Sequence, residues 1–280
     1  MNATLDKASR DTAAAELLAF YAEAGVDAML DETPHNRFGE PAAEAAPAVR
    51  PKSQVSDERR PARHRAPQPS AAPAAPVPPS PDEAVMAARE AARSAATLDD
   101  LRAILMRFEG CTLKASARQL VFADGNPEGR VMFVGEAPGA EEDREGLPFV
   151  GRSGKLLDQM LKAIGLDRTG VYIANIVPWR PPGNRTPTPQ EMAICLPFIL
   201  RQIELADPDI LVCMGGPSSQ TLLGFKEGIR RMRGNWMTFH TGKREIRALP
   251  TFHPAYLLRT PLEKRFAWRD FLAIRKALDA

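Results

Sequence analysis

The sequence predicts an α/β fold, a three-layer α/β/α sandwich around a central, mainly parallel four-stranded sheet. Short apolar runs of strand length recur between residues 131 and 252, and amphipathic helical patterns separate them. Uninterrupted apolar runs are typical of parallel strands, because helices cover both faces of such a sheet. No run of about 18 apolar residues occurs in the chain, so the sequence predicts no membrane contact.

The N-terminal part of the chain differs in composition from the rest. Residues 34–81 hold 12 of the 26 prolines and almost no large apolar residues, so they cannot bury enough surface to offset the entropy of ordering. We therefore expect an N-terminal helical segment at 1–33, a disordered linker at 34–81 and a globular domain at 82–280. The helical pattern at 13–30 either packs on that domain or binds a partner protein, and the sequence leaves both open.

The elements of the globular domain alternate in the way that this fold requires. Helical patterns, with apolar residues three and four positions apart, lie at 82–108, 155–165, 189–205, 218–224 and 261–278. Strand-like runs, rich in Val, Ile and Leu, lie at 131–135, 171–177, 209–216 and 245–252. Ligands bind beyond the carboxyl ends of parallel strands. The loops GEAPG, NIVPWRPPGNR, GGPSS and HPAYLLR, which follow these runs, are therefore expected to meet at one edge.

Cysteine content and charge indicate the cellular compartment of the protein and the chemical class of its partner. Three cysteines cannot form a closed disulfide set, and the N-terminus lacks the basic-then-apolar order of a secretory signal. We therefore expect a cytoplasmic protein. Residues 226–280 carry 13 Lys and Arg against 5 Asp and Glu. Such an excess fits either an ordinary solvated surface or a polyanionic partner such as nucleic acid.

The loop GEAPGAEEDREGLPFVG at 135–151 begins like a phosphate-binding turn but carries five carboxylates and one arginine. So much negative charge is unsuited to a phosphate. Taken singly, the polar residues of these loops have structural explanations. The acidic run suits a helix start, Asn175 suits a turn, and His253 suits a structural hydrogen bond. The chain has no metal-ligand spacing, no Ser-His-Asp order and no Walker lysine.

Three segments together resemble the motifs of a known family. GEAPGAEEDREGLPFVG, the stretch from YIAN to PPGNR, and HPAYLLR are similar to the motifs of the uracil-DNA glycosylase superfamily, most closely its family 4, and the similarity extends over about 101–278. The resemblance implies a monomeric DNA-repair enzyme whose partner is uracil-containing DNA. It would flip uracil out of the DNA and hydrolyse the N-glycosidic bond, which releases uracil and leaves an abasic site.

The resemblance also implies roles for individual residues. Glu136 would lie beside the scissile bond and orient water or stabilise the cationic sugar, and His253 would donate a hydrogen bond to O2 of the departing uracil. Ala137 stands where well-known members have a water-activating Asp. The base pocket would comprise Gly135, Ala137, Glu142, Asp143, Phe149 and Asn175. The DNA contacts would comprise Arg152, Ser153, Arg185, Pro254, Tyr256, Leu257 and Arg259.

Within the base pocket, the resemblance gives four side chains distinct tasks. Asn175 would pair with N3–H and O4 of uracil, and Phe149 would stack on the ring. Glu142 would exclude the methyl group of thymine at C5. Leu257 would fill the gap left in the duplex, as apolar wedges do.

The cysteines depart from the family pattern. Family 4 members carry four cysteines that bind an iron–sulfur cluster, and only Cys111 and Cys195 match them here. Phe108 and Trp179 stand at the other two positions and are expected to fill that volume by packing. On this basis we expect no cofactor and no metal; the alternative is a cluster held by other ligands or shared between chains.

Two other functions remain open at this point. The first is a protein of the same fold that binds uracil-DNA without cleaving it or becomes covalently attached to it. The set Glu136, Asn175 and His253 favours catalysis, and NIVPWRPPGNRTP lacks the basic, histidine-containing insert of the covalently attaching branch. The second is a nucleotide- or phosphate-binding protein, against which the acidic loop and the missing Walker lysine argue.

Overall fold

In the computed structural model, which describes residues 81–279, the apolar runs of the sequence form the centre of a six-stranded sheet. Its strands are β1 Asp124–Gly125, β2 Val131–Gly135, β3 Tyr172–Asn175, β4 Ile210–Met214, β5 Met237–His240 and β6 Glu245–Thr251. Their order across the sheet is β1-β3-β2-β4-β6-β5. The helical segment expected at 1–33 and the linker expected at 34–81 lie outside the described residues, except for Pro81, and both stay predictions.

Four strands, β3, β2, β4 and β6, are parallel, and β1 and β5 pair antiparallel at the two edges. The predicted α/β class is therefore confirmed, with a parallel four-stranded centre. The two edge strands were not predicted from the sequence. β1 has only two residues, and β5 has one buried residue among four, so neither has a continuous apolar run.

The helices connect the strands and cover them. They are α1 Pro81–Ser94, α2 Leu98–Arg107, α3 Leu113–Ser116, α4 Ala140–Glu145, α5 Arg152–Ala163, α6 Pro189–Ala206, α7 Gly216–Leu223, α8 Ile229–Met232, α9 Pro254–Arg259 and α10 Lys264–Leu278. Three-residue 3-10 turns lie at Arg168–Gly170, Pro182–Asn184 and Pro261–Glu263.

The single helix expected at 82–108 is two helices, and a capping box explains the break. The Thr97 hydroxyl accepts a hydrogen bond from the Asp100 N–H at 3.1 Å, and the Asp100 carboxylate accepts one from the Thr97 N–H at 3.0 Å. These bonds satisfy amides that a helix start leaves unpaired, so α2 begins independently of α1.

Alternate residues of each central strand face opposite helical layers. In β2, Met132 and Val134 join an apolar cluster that includes buried residues of α1, α2 and α6. Val131 and Phe133 join a second cluster with buried residues of α5 and α10. Burial of these side chains on both faces supplies the main stabilising free energy of the fold. Among the helices of residues 81–279, none has the length and apolarity needed to cross a membrane.

Candidate active site at the carboxyl edge of the sheet

The loops that follow the four parallel strands line one cavity of about 580 Å³. Glu136 comes from the loop after β2, Asn175 from the end of β3, Gly215 from the loop after β4, and His253 from the loop after β6. The register explains this convergence, since Gly135 of β2 pairs directly with Asn175 of β3. The expectation that these loops meet at one edge is confirmed.

Asn175 lines this cavity and has an unsatisfied hydrogen-bond acceptor. The side chain is only 4% exposed, and its Oδ1 has no hydrogen-bond partner among residues 81–279. A buried polar atom without a partner costs about 1–3 kcal/mol. A ligand N–H that reached Oδ1 would recover this free energy, so Asn175 is suited to bind a hydrogen-bond donor.

Gly135 makes room for two of the expected base-binding side chains. A Cβ at this position would lie 2.4 Å from Asn175 Oδ1 and 2.6 Å from Phe149 Cζ. Either contact is far too short for a side-chain carbon. Gly135 therefore lets the Asn175 amide and the Phe149 ring lie against the same point of β2, which explains why a glycine ends this strand.

His253 is held as a neutral hydrogen-bond donor. It caps α9, and its Nδ1 accepts a hydrogen bond from the Ala255 N–H at 3.1 Å. With Nδ1 accepting, the proton of the neutral ring belongs on Nε2. Burial lowers the pKa of His253 to about 4, the positive charge of Arg259 acts in the same direction, and Glu142 opposes them. The imidazole is therefore uncharged near neutral pH.

Glu136 lines the cavity directly after β2, where two backbone bonds fix its position. The Ile176 N–H donates to the Gly135 carbonyl and the Val177 N–H donates to the Glu136 carbonyl, both at 3.0 Å. Burial raises the pKa of the Glu136 carboxyl. Its neighbour Ala137 also lines the cavity and supplies no ionisable group.

Phe149 adopts a strained backbone conformation beside His253. Its φ of 55° lies in the left-handed region, which is unfavourable for a bulky aromatic residue. The Arg168 guanidinium donates to the carbonyls of Pro148 and Phe149 and is anchored by Asp124 at 2.5 Å and Asp158 at 2.7 Å. These bonds hold the Phe149 ring 5.3 Å, centroid to centroid, from the His253 ring.

Glu142 lines the cavity, but its carboxylate organises the loop from 139 to 151. Its Oε2 accepts a hydrogen bond from the Gly139 N–H at 3.0 Å. Its Oε1 accepts from the N–H groups of Val150 at 3.1 Å and Gly151 at 3.0 Å. A carboxylate that accepts three backbone bonds fixes the two ends of an acidic loop against each other, which accounts for part of the charge noted in the sequence.

Asp143 does not line the cavity, contrary to the sequence-based expectation. Its side chain is 2% exposed, and its Oδ1 accepts a hydrogen bond from the Arg118 N–H at 2.8 Å. The assignment of Asp143 to the base pocket is therefore corrected. Asp143 connects α4 to the segment that follows α3. It faces away from the cavity because successive residues of a helical turn face different sides.

Leu257 also differs from the expectation. It is 1% exposed and packs with Phe252 and Ala267, so it cannot enter a duplex without leaving the core. The next residue, Leu258, is 36% exposed. The helical path of α9 explains the error, since a position four residues after His253 faces the core.

The remaining residues expected at the DNA are divided between the cavity and its surroundings. Those that line the cavity are Ser153, Arg185, Tyr256 and Arg259. Arg185 forms a bidentate ion pair with Glu191 at 2.6 and 2.8 Å. Arg152 is exposed at the start of α5, and Pro254 is buried in the first turn of α9. Contacts of these residues with DNA stay predictions.

One part of the cavity was missed by the residue-level prediction. The loop and helix start after β4 contribute Gly215, Gly216 and Pro217 to the lining. The segment GGPSS, which follows an apolar run, was the sequence signal for this loop. This segment lies outside the three motifs that carry the family resemblance and has no ionisable side chain, which is why no role was assigned to it.

Two cysteines lie close together in the cluster between the sheet and α6. The Sγ atoms of Cys111 and Cys195 are 3.9 Å apart, and both side chains are buried. Trp179 packs in the same cluster with 2% of its surface exposed, and Phe108 packs against it. Cys213 is buried within β4.

Comparisons with known proteins agree with this arrangement. Residues 122–272 match the family model described as the uracil DNA glycosylase superfamily. A type-4 uracil-DNA glycosylase of Thermotoga maritima is 47% identical over 150 residues, which cover 53% of this chain and 77% of the relative. That of Archaeoglobus fulgidus is 36% identical over 182 residues, 64% of this chain and 92% of the relative. That of Sulfurisphaera tokodaii is 39% identical over 186 residues, which cover 64% of this chain and 84% of the relative.

These relatives contradict the expectation that the protein has no cofactor. They are type-4 enzymes, a family that carries an iron–sulfur cluster, so that expectation is withdrawn. Cys111 and Cys195 would be the ligands that the chain offers to such a cluster. Residues 81–279 contain no group of three or more His, Cys, Asp or Glu that could hold a metal. The described residues therefore do not fit a four-thiolate cluster by themselves, and no catalytic step is derived through one.

The length of the segment that matches the family model is sufficient to assign the family of this chain. The matched segment covers more than half of the chain and includes β2 to β6 and the four loops that line the cavity. The relatives are matched over more than two thirds of their own length. The sequence-based prediction of a glycosylase of this class is therefore confirmed, and the chain belongs to the uracil-DNA glycosylase superfamily.

Proposed function

We propose that this protein is a monofunctional uracil-DNA glycosylase, close to type 4, that removes uracil from DNA and leaves an abasic site. The observation that carries the proposal is the unpartnered Oδ1 of Asn175 in a cavity that also holds Glu136 and the neutral His253. The type-4 names of the relatives support the same substrate.

Recognition of uracil is assigned to Asn175 and Phe149. The amide oxygen of Asn175 accepts the N3–H of uracil, and its NH₂ group donates to O4. Cytosine presents an acceptor at N3 and a donor at C4, so its pattern is the reverse of the one that this amide fits. Phe149 supports the extruded ring from one face.

Bond cleavage is assigned to His253 and Glu136. As the bond between C1′ and uracil N1 breaks, its electron pair leaves with the base and negative charge develops on O2. The Nε2–H of His253 donates to that oxygen, and the Glu136 carboxylate stabilises the positive sugar and orients the water that adds to C1′. The proton that this water loses neutralises the released uracil anion. Preorganised groups of this kind each contribute about a hundredfold to a thousandfold in rate.

Two assignments change with the structure in hand. Glu142 organises the loop from 139 to 151, and its place in the cavity lining lets its buried edge also limit what fits beside C5 of the base. The apolar wedge that fills the duplex is Leu258, because Leu257 belongs to the core. Arg259, exposed at the mouth of the cavity, binds a backbone phosphate.

Several broader expectations remain part of the proposal. We expect a cytoplasmic monomer that acts in base excision repair. We also expect that 82–280 is the catalytic domain and that the helical pattern at 13–30 serves either this domain or a partner protein.

A single assay separates this function from its alternatives. The protein is incubated with a 5′-labelled oligonucleotide of about 30 nucleotides that contains one uracil, and the DNA is then treated with alkali. Strand cleavage at the former uracil, with free uracil released, supports the proposal. Tight binding with an intact strand would favour a uracil-DNA binding protein, and a stable protein–DNA adduct would favour covalent capture. No binding and no cleavage would contradict the proposal.

Variants connect the activity to the proposed residues. Glu136→Gln and His253→Ala should each lower the single-turnover rate by roughly tenfold to a thousandfold, because each removes a group that meets developing charge. Glu145→Gln and His240→Ala make the same chemical changes at exposed positions outside the cavity lining. The residue roles would be wrong if both site variants turned over as fast as these controls.

A further inference from the structure

A second cleft adjoins the active-site cavity and has a different chemistry. It encloses about 360 Å³ and is lined by Arg230, Arg233, Phe252, Glu263, Arg265 and Phe266. Phe252 lines both this cleft and the active-site cavity. The two spaces therefore lie on either side of the Phe252 side chain, and the lining of the second has three arginines and one carboxylate.

The floor of the cleft is fixed by a buried ion pair. Arg233 donates to both carboxylate oxygens of Asp270, and Asp270 also accepts a hydrogen bond from the Thr251 hydroxyl at 2.7 Å. The Arg233 guanidinium lies 5.7 Å from the centroid of the Phe252 ring and 5.4 Å from that of Phe266. The Arg233 guanidinium is thus paired with Asp270, and its contacts with Phe252 and Phe266 keep these two rings in place at the sides of the cleft.

The arginines at the rim of the cleft, Arg230 and Arg265, make fewer hydrogen bonds to carboxylates than Arg233 does. Arg265 is exposed and stacks on the Phe266 ring at 4.7 Å, and it forms no ion pair with any carboxylate of residues 81–279. Arg230 has 66% of its side chain exposed and pairs at 2.5 Å with Glu263, which is largely buried. Arg269 also lies over the Phe266 ring, at 5.7 Å. The net charge at the rim is positive, and stacking leaves the N–H groups of Arg265 free to bind an anion.

From this geometry we infer a phosphate-binding subsite, centred on Arg265 and Arg230, that holds the DNA backbone beyond the two phosphates that flank the extruded nucleotide. The inference rests on the proposed function and extends it from one nucleotide to a longer DNA footprint. A guanidinium stacked on an aromatic ring binds phosphate oxygens in a bidentate manner without losing much side-chain entropy. The occupant is a backbone phosphodiester, because the cleft neighbours the cavity that receives a nucleotide and its lining is rich in arginine.

The test compares two substrates of different length. Values of kcat/KM are measured between about 50 and 200 mM salt for a uracil-containing 30-mer and for a trinucleotide with central uracil, which is too short to occupy the cleft fully. Arg265→Ala should lower the ratio of the 30-mer value to the trinucleotide value roughly fivefold to tenfold at low salt. It should also make the dependence of log kcat/KM on log salt for the 30-mer less steep by about one unit.

Arg93→Ala is the matched control. Arg93 is an exposed arginine on α1, and α1 belongs to the helical layer on the opposite face of the sheet from α10. This variant removes the same charge from the protein and should change neither the ratio nor the slope. The subsite would be disproved if Arg265→Ala behaved like Arg93→Ala, or if it lowered the values for both substrates equally.

A variant that is expected to raise activity distinguishes an effect on the subsite from a folding defect. Glu263→Gln removes the carboxylate that occupies Arg230, so it should raise kcat/KM for the 30-mer at moderate salt and steepen the salt dependence. A folding defect can only lower activity, so a gain supports the subsite, and an unchanged or weakened response to salt contradicts it. Failure of wild-type protein to release uracil from either substrate would instead disprove the proposed function.

Discussion

At the scale of single residues, the candidate active site has features that are unfavourable for stability. Asn175 has a buried acceptor without a partner, and Phe149 has a left-handed backbone. His253 is partly buried, and desolvation lowers its pKa to about 4. Such features persist where the surrounding structure enforces them, and they concentrate at functional sites.

The lowered pKa of His253 predicts a pH-dependent stability. Because the folded-state pKa is about 4 and the unfolded value is about 6.5, the unfolded chain takes up a proton first as pH falls. The contribution to stability is therefore present above pH 6.5 and is lost progressively between about pH 6.5 and 4, by up to about 3 kcal/mol. Urea unfolding of wild type and His253→Asn, measured at several pH values, tests this.

The difference between the two proteins isolates the histidine from other titrating groups. Relative to His253→Asn, wild type should lose free energy of unfolding as the pH falls across this window. A constant difference from pH 7 to 4 would show that His253 titrates normally in the folded protein. Glycosylase activity should be insensitive to the charge of this residue near neutral pH, because it is already uncharged there.

Motifs in the sequence could identify which residues meet at the site, but not which way each one faces. Glu136, Asn175 and His253 all line the cavity, as their positions after the parallel strands predicted. Asp143 and Leu257 do not, because each lies on a short helix whose turn directs it towards the protein interior. Side-chain direction within a loop depends on the tertiary path, which motif spacing does not contain.

At the scale of elements, the acidic loop at 135–151 is held by its own carboxylate. Glu142 closes it by accepting hydrogen bonds from both ends. A Cβ at position 154 would lie 1.6 Å from the Phe149 carbonyl oxygen. The first turns of α5 can therefore approach Phe149 closely only because that position is glycine.

Glu142→Gln tests whether this carboxylate is structural. Glutamine keeps one acceptor oxygen and puts an NH₂ group at the other position, so at least one of the three backbone donors loses its partner. We expect a loss of about 1–3 kcal/mol in the free energy of unfolding and slower release of uracil. Glu141→Gln, an exposed neighbour on α4, is the control.

The outcome distinguishes two roles of Glu142. If its main task were to exclude thymine, Glu142→Gln would keep wild-type stability and begin to release thymine from thymine-containing DNA. Both results together would contradict the structural assignment.

A second prediction at this scale concerns Trp179, in the loop that follows β3. Its side chain is almost fully buried in the cluster between the sheet and α6. Truncation to alanine should lower the free energy of unfolding by about 3–5 kcal/mol, the usual result of removing a large buried aromatic side chain. Chemical denaturation measures the loss, and Trp268→Ala, at a residue that is 44% exposed, should be much milder. Equal losses would mean that the cluster does not depend on Trp179.

At the scale of the whole molecule, the parallel centre was predictable and the edges were not. Buried strands of four or five residues give continuous apolar runs that are readable in the sequence. β1 and β5 are short and partly exposed, so their pairing depends on neighbours that are distant in the chain. The active site was therefore predictable to the extent that it depends on the parallel strands.

Removal of residues 1–80 tests the proposed domain organisation. Every residue that lines the active-site cavity lies between 136 and 259, so a chain that begins at Pro81 should still fold and release uracil from the 30-mer at close to the full-length rate. Circular dichroism and the oligonucleotide assay measure the two properties. Loss of folding or of most activity would mean that the N-terminal segment belongs to the catalytic domain.

The antiparallel edge strands have a consequence for behaviour in crowded solution. The exposed edge of a sheet can recruit strands from other molecules, and short edge strands limit this. Here the sheet ends in two residues at β1 and four at β5, and two of the four β5 residues are exposed. The parallel strands are flanked on both sides by these short antiparallel strands, which limits pairing of the sheet with strands of other molecules.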